Sequence, residues 1–398
     1  MVRVRIFYQT DPAGAIPGGI DTFIRGMIKA APSDVELSVV GLTTDPLARP
    51  VGRWTECVVD GRAVWFFPVA RLRNPRGRSR IPLSLLLTLG IARHFYACAG
   101  GCDVLEFHRI EPALVFLRDA RPKNIFVHQN MTDCLGSTAS DVRWRWLPQL
   151  FFRLERAVLG AGASVFAVRA DAIEAYRRQY PELAERFRFI PTWMDPELFF
   201  PEHAARRGNW TVISVGRLDS QKNPLLLVDG FALLARRHAA ARLVLVGDGA
   251  LRNEVEARIA HHRLGERVVL AGLRGPREVA DMLRNADCFA LTSAYEGMPM
   301  CVLEALGSGI PVVSTRVGEV ARVVKPGVTG ELVEEANAEA VAQALARIAS
   351  HPEAYGTSAC IAAVADYVPK KVLQPVFENY RRLARPAAVR PLIAQGLP

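Results

Sequence analysis

The sequence lacks any segment long enough to cross a bilayer as a helix. A membrane-spanning helix needs roughly 20 apolar residues. The longest mostly apolar run, 81–92, is interrupted by a proline, a serine and a threonine. The first residues, MVRVRIFYQT, follow an alternating strand pattern and contain no signal-peptide apolar core. We therefore expect a cytoplasmic protein that does not cross the membrane.

Cysteine is too scattered to predict a disulfide framework or a zinc site. The seven cysteines are an odd number and include no C-x-x-C pair. Only Cys98 and Cys102 are close in sequence, and no histidine or cysteine follows them at a zinc spacing. We expect reduced thiols, no metal site and no other cofactor. Short-period repeats and low-complexity segments are also missing.

The composition predicts a two-domain globular protein with a cationic surface. A chain of 398 residues exceeds the size at which one hydrophobic core keeps growing. The net charge of +10 is compatible with nucleic acid, an anionic membrane or phosphorylated substrates as partners. No helix of clustered Lys and Arg and no aromatic stacking platform favours nucleic acid, so we expect none to bind.

Apolar strand patterns alternate with helical patterns along the chain, which predicts an α/β fold with parallel sheets. The predicted strands are 2–8, 36–41, 103–107, 124–127, 164–168 and 187–190 in the first half, and 211–218, 242–247, 267–271, 288–292 and 310–314 in the second. Asp60-Gly61 predicts a hairpin between two apolar runs. Three prolines within 191–201 mark the boundary, giving domains at 1–192 and 193–369, and a final helix at about 370–390.

Two glutamates in the stretch SAYEGMPMCVLEALGSGIPVV, residues 293–313, are chemically unusual. A helix is predicted to begin at Pro299 and to end at the glycines beyond it. Glu296 precedes this helix, and Glu304 lies inside it among apolar neighbours. A buried carboxylate needs a basic partner or hydroxyl groups. Both interpretations fit: an ordinary buried helix whose Glu304 meets an arginine, or a cleft for a sugar nucleotide.

Other candidate groups follow predicted strands. Arg217 and Lys222 share one loop after the strand at 211–218, where they are either solvated charges or the cations that neutralise a diphosphate. The glycine-rich loop 9–19 precedes a predicted helix, a common arrangement for phosphate binding. His108 and His128 each follow a strand, where ligands bind in doubly wound sheets, although a lone histidine is often structural.

Several of these motifs resemble one family. The glutamate pair resembles the E-x7-E signature of retaining GT-B glycosyltransferases, in the family 4-like or group 1 class. The loop GRLDSQKN at 216–223 resembles that family's G-R-x-x-x-x-K loop, VTGELV at 328–333 its turn after the donor site, and PGGIDTF its Gly-Gly loop. The resemblance implies a GT-B fold, with two doubly wound Rossmann-like domains facing across a cleft. The last helix would then return to the first domain.

The resemblance also implies an activity and residue roles. A hexose would pass with retention from a nucleotide-diphosphate sugar to a hydroxyl of a glycan or lipid-linked acceptor, in bacterial surface glycan synthesis and without a metal. Glu296 would orient the sugar, Glu304 would hold the ribose, and His128 would contact the sugar, with His108 in reserve. The implied catalytic residues are His128, Glu296, Arg217 and Lys222. The implied donor-binding residues are Gly18, Gly19, Gly216, Arg217, Lys222, Glu296, Gly297, Met298, Pro299 and Glu304.

Alternatives remain for the activity and for the membrane. A sugar-nucleotide epimerase on the same fold would act without an acceptor, and a basic nucleic-acid-binding protein would have no enzymatic activity. Arginines between 71 and 80 precede the apolar run 81–87, and aromatic and basic residues mix in 143–153. Each segment predicts either a solvated loop and core helix or peripheral contact with the anionic inner membrane face.

Overall fold

The computed structural model describes residues 1–14, 19–72, 82–128, 147–202 and 209–385, which form two sheets with helices. The first sheet contains β1 Val2–Phe7, β2 Val35–Thr43, β3 Thr55–Val59, β4 Arg62–Arg71, β5 Val104–Phe107, β6 Lys123–Val127, β7 Ser164–Ala167 and β8 Phe187–Phe189. The second contains β9 Thr211–Val215, β10 Arg242–Val246, β11 Val268–Gly272, β12 Cys288–Leu291, β13 Val312–Thr315 and β14 Gly330–Val333.

Helices connect these strands in both halves. They are α1 Gly19–Ala30, α2 Leu83–Arg93, α3 Phe95–Ala99, α4 Ile110–Ala113, α5 Pro148–Ala161, α6 Ala170–Gln179, α7 Pro224–Ala235, α8 Arg252–His261, α9 Pro276–Arg284, α10 Met300–Gly307, α11 Ala338–Ser350, α12 Thr357–Ala363, α13 Pro369–Val372 and α14 Gln374–Ala384. Short 3-10 helices lie at Leu114–Phe116, Pro181–Arg186, Val320–Arg322 and Pro352–Ala354.

The strand order of each sheet creates a switch point where ligands bind in doubly wound folds. The first sheet has the order β3-β4-β2-β1-β5-β6-β7-β8. Strands are added on one side of β1 up to β4 and on its other side from β5 onward, so the switch point lies between β1 and β5. The second sheet has the order β11-β10-β9-β12-β13-β14, and its switch point lies between β9 and β12. Among the strands of the described residues, only β3 runs antiparallel, paired with β4 through the predicted Asp60-Gly61 turn, whose two residues both have positive φ.

Apolar cores cover both faces of each sheet because neighbouring strand residues point to opposite sides. In β1, Ile6 belongs to the core under α1 and α14, whereas Phe7 belongs to the core under α2 and α5. The second sheet has one core with α7, α8 and α11, and another with α9, α10 and α12. This three-layer arrangement is what the alternating sequence pattern predicted.

The chain passes from one domain core to the other between two adjacent residues. Trp193 is buried in the first-domain core, and Met194 is buried in a second-domain core. Trp193 lies so close to α1 that a Cβ atom at Gly26 would be 2.6 Å from its Nε1 atom. The boundary predicted after residue 192 lies just before this crossing, and it stays a prediction.

The last two helices return to the first domain. Val376, Phe377 and Tyr380 pack in its core, and Asn379 Nδ2 donates to Asn124 Oδ1 at 3.0 Å. The last two helices, which follow the second domain in sequence, therefore contribute side chains to the core that packs against the first sheet. As a consequence, the first domain is not complete as a single sequence segment.

Several predicted element bounds differ from the structure, and two of these differences affect the loops of the candidate residues. Strand β9 ends at Val215 rather than Leu218, because Leu218 turns away from the sheet and its N–H donates to the carbonyl of Asp248. Pro299 is the N-cap of α10 and has extended backbone angles, so the helix begins at Met300. Both shifts lengthen the loops on which the candidate residues lie.

The described cysteines are all free thiols, and no described helix is long and apolar enough to span a bilayer. Cys134 lies outside the described residues.

Candidate active site

The second-domain candidates lie on the two loops that flank the switch point. The loop after β9 carries Arg217 and Lys222, and the loop after β12 carries Glu296. Because β9 and β12 are hydrogen-bonded neighbours in the sheet, both loops leave it at the same edge. This topology explains how residues more than 70 positions apart come into contact.

Lys222 and Glu296 form a shielded ion pair. Lys222 Nζ lies 2.6 Å from Glu296 Oε1, and the two side chains are 19% and 9% exposed. Ser293 Oγ donates to the same carboxylate oxygen at 2.7 Å. Burial alone would lower the pKa of Lys222, but the neighbouring Cys301 and Glu296 outweigh it and raise the pKa above its ordinary value. Lys222 is therefore a cation at neutral pH.

The loop after β9 is held rigidly around Lys222. Lys222 N donates to Asp219 Oδ1 at 3.0 Å, and Thr292 Oγ1 donates to the carbonyl of Asn223 at 2.9 Å. Asn223 adopts a left-handed conformation with φ 47° immediately before α7. Gly216 lies against the aliphatic part of Lys222, because a Cβ atom there would be 3.4 Å from Lys222 Cδ. These contacts fix the direction of the ammonium group.

Arg217 lies on the same loop but does not contact Glu296. Its guanidinium pairs with Asp219 at 2.8 Å and donates to Gln221 Oε1 at 3.2 Å, and its side chain is 68% exposed. Gln221 Nε2 in turn donates to the carbonyl of Tyr295. Of the two predicted cations, Lys222 is therefore shielded, whereas Arg217 is exposed and accessible to a ligand.

Glu304 is half-buried in α10. Its carboxylate has no hydrogen bond or ion pair to any residue within the described ranges, which contradicts the interpretation of a buried helix neutralised by an arginine. Burial raises the pKa of Glu304 to about 7. A carboxylate left in this state has free acceptor capacity for the hydroxyl groups of a ligand.

The loop of Gly297 lies where the two domains touch. A Cβ atom at Gly297 would be 2.9 Å from the Arg169 side chain, which follows β7 of the first domain. Glu319 N donates to the carbonyl of Gly297 at 2.9 Å, while Glu319 Oε1 accepts from Ala170 N at 3.2 Å. Met298 is buried, as is Pro299, and the Met298 carbonyl accepts from Thr192 Oγ1 at 2.9 Å. Both domains therefore shape this loop.

We expect Gly318→Ala to destabilise the protein more than Gly327→Ala. Gly318 has φ 49°, and its Cβ atom would lie 2.0 Å from the carbonyl oxygen of Gly297. Gly327 has φ 73° but no atom near its added Cβ, so it controls for backbone strain alone. Strain of this kind costs about 1–3 kcal/mol. Denaturant unfolding should show an extra loss for Gly318→Ala, and equal losses would contradict the close contact.

His128 and His108 lie together at the carboxyl end of the first sheet. His108 Nδ1 is 2.8 Å from His128 Nε2, and His108 Nε2 is 3.0 Å from Glu106 Oε1. Phe23 of α1 packs edge-on against His128, with ring centroids 5.1 Å apart. The sequence ranked the two histidines as alternatives, whereas the structure joins them in one network.

Sequence reasoning missed Glu106 and Tyr380. Glu106 is fully buried in the apolar strand VLEF, and Tyr380 Oη donates to its Oε2 atom. A glutamate inside an apolar strand was a usable signal, because burying an unpaired carboxylate is costly. The tyrosine gave no such signal, since it arrives from a helix more than 270 residues later.

The glycine-rich loop contributes little that can be described. Gly18 lies outside the described residues. Gly19 is the first residue of α1, and a Cβ atom there would meet no atom within 4 Å. Its predicted donor-binding role stays a prediction.

Residues 195–358 match the family model for "Glycosyl transferases group 1". The match spans 164 of the 398 residues, and over this part the chain is similar to that family. The match covers β9 to β14 and therefore includes both loops of the switch point. The recognition from GRLDSQKN and the glutamate pair is confirmed.

Relatives of known name match parts of this chain. The Vi polysaccharide biosynthesis protein VipC/TviE of Salmonella typhi is 37% identical over 126 residues, which are 32% of this chain and 22% of that protein. Mannosylfructose-phosphate synthase of Agrobacterium fabrum is 30% identical over 180 residues, covering 41% of this chain and 40% of that protein. The chain thus aligns with less than half the length of either relative.

Solved structures extend the likeness to almost the whole fold. Sucrose-phosphate synthase from Thermosynechococcus elongatus has a TM-score of 0.79 at 21% identity, covering 96% of this chain and 99% of that chain. Anabaena Alr3699/HepE has a TM-score of 0.69 at 16% identity, covering 96% and 100%. The predicted GT-B fold, with two Rossmann-like domains, is confirmed.

Proposed function

We propose that the protein is a retaining, metal-independent glycosyltransferase that moves a hexose from a nucleotide-diphosphate sugar to an acceptor hydroxyl. One observation carries the proposal: the Lys222–Glu296 pair lies at the switch point of the second sheet, within the segment that matches the group 1 family model. A fixed cation and a carboxylate at this edge suit a ligand that combines phosphate with hydroxyl groups.

In this proposal the two cations hold the diphosphate. Lys222 lies in a shielded position, and exposed Arg217 needs only to exchange Asp219 for phosphate oxygens. Negative charge develops on the diphosphate as the bond to the sugar breaks. Fixed cations stabilise that charge without reorganising at the moment of reaction.

The carboxylates serve the hydroxyl groups. Glu296 keeps a second oxygen, Oε2, for the donor sugar, because Lys222 and Ser293 both contact Oε1. Glu304 has free acceptor capacity for the ribose. His128 at the end of β6 contacts the sugar from the first domain, and Gly297 lets the backbone approach the donor.

The acceptor is proposed to be a glycan or a lipid-linked saccharide. One relative, 29% identical over 172 residues, is named UDP-Gal:alpha-D-GlcNAc-diphosphoundecaprenol alpha-1,3-galactosyltransferase of Escherichia coli. The VipC/TviE relative is likewise named for polysaccharide biosynthesis. Both names support a role in surface glycan synthesis.

The activity is tested by a donor screen followed by product analysis. UDP, GDP and ADP are compared by thermal shift, starting with UDP because the HepE structure is described as a complex with UDP and glucose. The matching sugar nucleotides are then incubated with saccharide and lipid-linked saccharide acceptors. Transfer with retained anomeric configuration supports the proposal. Epimerised donor without transfer, or no stabilisation by any nucleotide diphosphate, contradicts it.

Peripheral membrane contact is proposed for the outer face of the first domain. Leu85 and Leu89 of α2 are 46% and 59% exposed, and Leu147 at the start of α5 is 57% exposed. Both helices pack on the same face of the first sheet. The basic residues 73–80 and 143–145 that the sequence singled out lie outside the described residues.

We expect the double variant Leu85→Ser and Leu89→Ser to bind less to vesicles containing anionic lipid. Each leucine side chain that inserts at the boundary between lipid head groups and acyl chains contributes about 1–2 kcal/mol to the free energy of membrane binding, and serine loses that contribution. Together they should weaken vesicle co-sedimentation at least tenfold. Leu273→Ser is the control, because Leu273 is 48% exposed on the second domain. Equal binding by the double variant and wild type would refute the contact.

A further inference from the structure

Four polar side chains form a hydrogen-bonded string through the first domain. Tyr380 Oη donates to Glu106 Oε2, Glu106 Oε1 lies 3.0 Å from His108 Nε2, and His108 Nδ1 lies 2.8 Å from His128 Nε2. Tyr380 and Glu106 are 0% exposed and His108 is 2% exposed, whereas His128 is half-buried. The string therefore connects α14 with the sheet edge at which the donor sugar is proposed to bind.

Each contact in the string requires one donor and one acceptor. Burial lowers the pKa of His108 to about 3. Burial also lowers the pKa of His128 well below its ordinary value, and His108 and Arg109 lower it further. Both rings are therefore neutral, and each carries one proton on one of its two nitrogens. Which nitrogen carries it depends on Glu106.

With Glu106 neutral, every proton in the string points toward His128. Glu106 Oε1–H donates to His108 Nε2, and His108 Nδ1–H donates to His128 Nε2. His128 then carries its own proton on Nδ1. This nitrogen has no hydrogen-bond partner in the part of the chain that the structure describes, so it offers an N–H to a ligand.

With Glu106 ionised, the same contacts reverse. His108 Nε2–H donates to Glu106 Oε1, and His128 Nε2–H donates to His108 Nδ1. His128 Nδ1 then offers a lone pair. The string has lost one proton overall: each internal proton moves one group along, and the Nδ1 proton of His128 leaves.

We propose that Glu106, held between Tyr380 and His108, is a positioning residue that decides whether His128 offers a hydrogen-bond donor or an acceptor to its ligand. The inference rests on the proposed function only in naming the donor sugar as that ligand. Tyr380 contributes by stabilising the ionised form of Glu106 through its hydrogen bond. Because Tyr380 lies on α14, the helix that follows the second domain also takes part in setting this histidine.

The neighbouring ionisable groups do not replace Glu106 in this role. Its strand neighbours in β1 and β6 are Ile6 and Asn124, neither of which titrates. Around the histidines, the guanidinium of Arg109 acts on His128, and the ring of Tyr8 lies 6.0 Å from that of His108. Asp21 stands beyond Tyr8, and burial raises its pKa to about 6.

Burial raises the pKa of Glu106 to about 8, although the hydrogen bond from Tyr380 lowers it. The switch should therefore be centred near pH 8, above the range in which Asp21 titrates. Nitrogen-15 chemical shifts of the histidine rings distinguish a protonated from a bare ring nitrogen. In the wild-type protein we expect His128 to carry its proton on Nδ1 at pH 6.5 and on Nε2 at pH 9.

Glu106→Gln should remove the switch. The amide oxygen accepts from Tyr380, and the amide N–H₂ donates to His108 Nε2, so His128 keeps Nδ1–H at every pH. Glu155→Gln is the matched control, because Glu155 is also buried in the first domain and accepts from Tyr176 and Tyr180 without a histidine. It should retain the wild-type shifts.

Tyr380→Phe provides a second test that leaves Glu106 in place. Loss of the hydrogen bond removes stabilisation of the carboxylate, so the midpoint of the switch should move to higher pH. Tyr355→Phe is its control, because Tyr355 Oη donates to the buried Glu331 in the second domain. A His128 tautomer that does not change with pH in the wild type, or an unchanged switch in both Glu106→Gln and Tyr380→Phe, would overturn the proposal.

Activity gives an independent readout. At pH 9 the kcat for sugar transfer of Glu106→Gln should differ from the wild-type value by about tenfold, because one hydrogen bond from His128 to the ligand is worth about that factor. At pH 6.5 the two values of kcat should differ by less than about threefold. The tautomer switch without any transfer activity would support the string and refute the proposed function. Transfer activity without the switch would do the reverse.

Discussion

Lys222→Met is expected to lower the kcat for sugar transfer by about 10²–10³-fold, the usual loss when one group that stabilises an anionic transition state is removed. Methionine preserves much of the aliphatic part that packs near Gly216 but cannot neutralise the departing diphosphate. It also leaves Glu296 facing the diphosphate without its cation, which adds repulsion. Steady-state assays with the donor identified in the nucleotide screen measure the effect.

The control for this variant is Lys371→Met. Lys371 pairs with Asp366 at 2.8 Å, and both side chains are largely exposed, so its loss removes equal charge at a distant surface. Exposed pairs of this kind contribute about 0–1 kcal/mol. Lys371→Met should behave as wild type. A Lys222→Met enzyme with kcat within threefold of wild type would exclude Lys222 from the reaction.

Glu304→Gln is expected to weaken nucleotide binding and to stabilise the ligand-free protein. Hydrogen bonds from ribose hydroxyls to a carboxylate are worth about 1.5–3 kcal/mol, so the Kd for the nucleotide diphosphate should rise by about 10–100-fold at pH 8. Wild-type affinity should fall as the pH drops through 7, because protonation removes the carboxylate. The variant should show no such pH dependence in calorimetric titrations.

The stability effect has the opposite sign because burial raises the pKa of Glu304 from 4.5 to about 7. A carboxyl group with a raised pKa contributes stability below its unfolded pKa and loses it as the pH rises through the folded value. At pH 8 the ionised group costs up to about 3 kcal/mol. Glu304→Gln should therefore raise the Tm of the ligand-free protein at pH 8 and leave it unchanged at pH 4.5.

Glu339→Gln is the control for both effects, because Glu339 lies exposed in the first turn of α11. It should alter neither the Kd nor the Tm. If Glu304→Gln binds nucleotide as tightly as wild type and has the same Tm at pH 8, Glu304 is not a strained, unoccupied acceptor, and its proposed role with ribose is wrong.

The local patterns predicted the fold well because strands and turns are encoded by neighbouring residues. Asp60-Gly61 predicted the hairpin from two residues that tolerate positive φ. The alternation of apolar and helical patterns predicted both parallel sheets. Strand β9 was predicted too long because the prediction extended it to the apolar Leu218, whose departure from the sheet depends on the distant carbonyl of Asp248.

The candidate site was predictable where short motifs carry the chemistry. GRLDSQKN and the glutamate pair contain both members of the Lys222–Glu296 ion pair. Contacts between distant segments could not be read in this way. The union of His108 and His128 requires the pairing of β5 with β6, and Tyr380 reaches Glu106 only because α14 returns to the first domain. Arg169 against Gly297 likewise depends on how the two domains meet.

The central claim is that one cleft holds a diphosphate on Arg217 and Lys222 and the sugar and ribose on Glu296 and Glu304. A crystal structure of the protein with the nucleotide-diphosphate sugar selected by the donor screen tests it most directly. We expect diphosphate oxygens within hydrogen-bond distance of both cations, and ribose hydroxyls donating to Glu304. A nucleotide bound elsewhere, or bound here with Glu304 and Lys222 both out of contact, would contradict it.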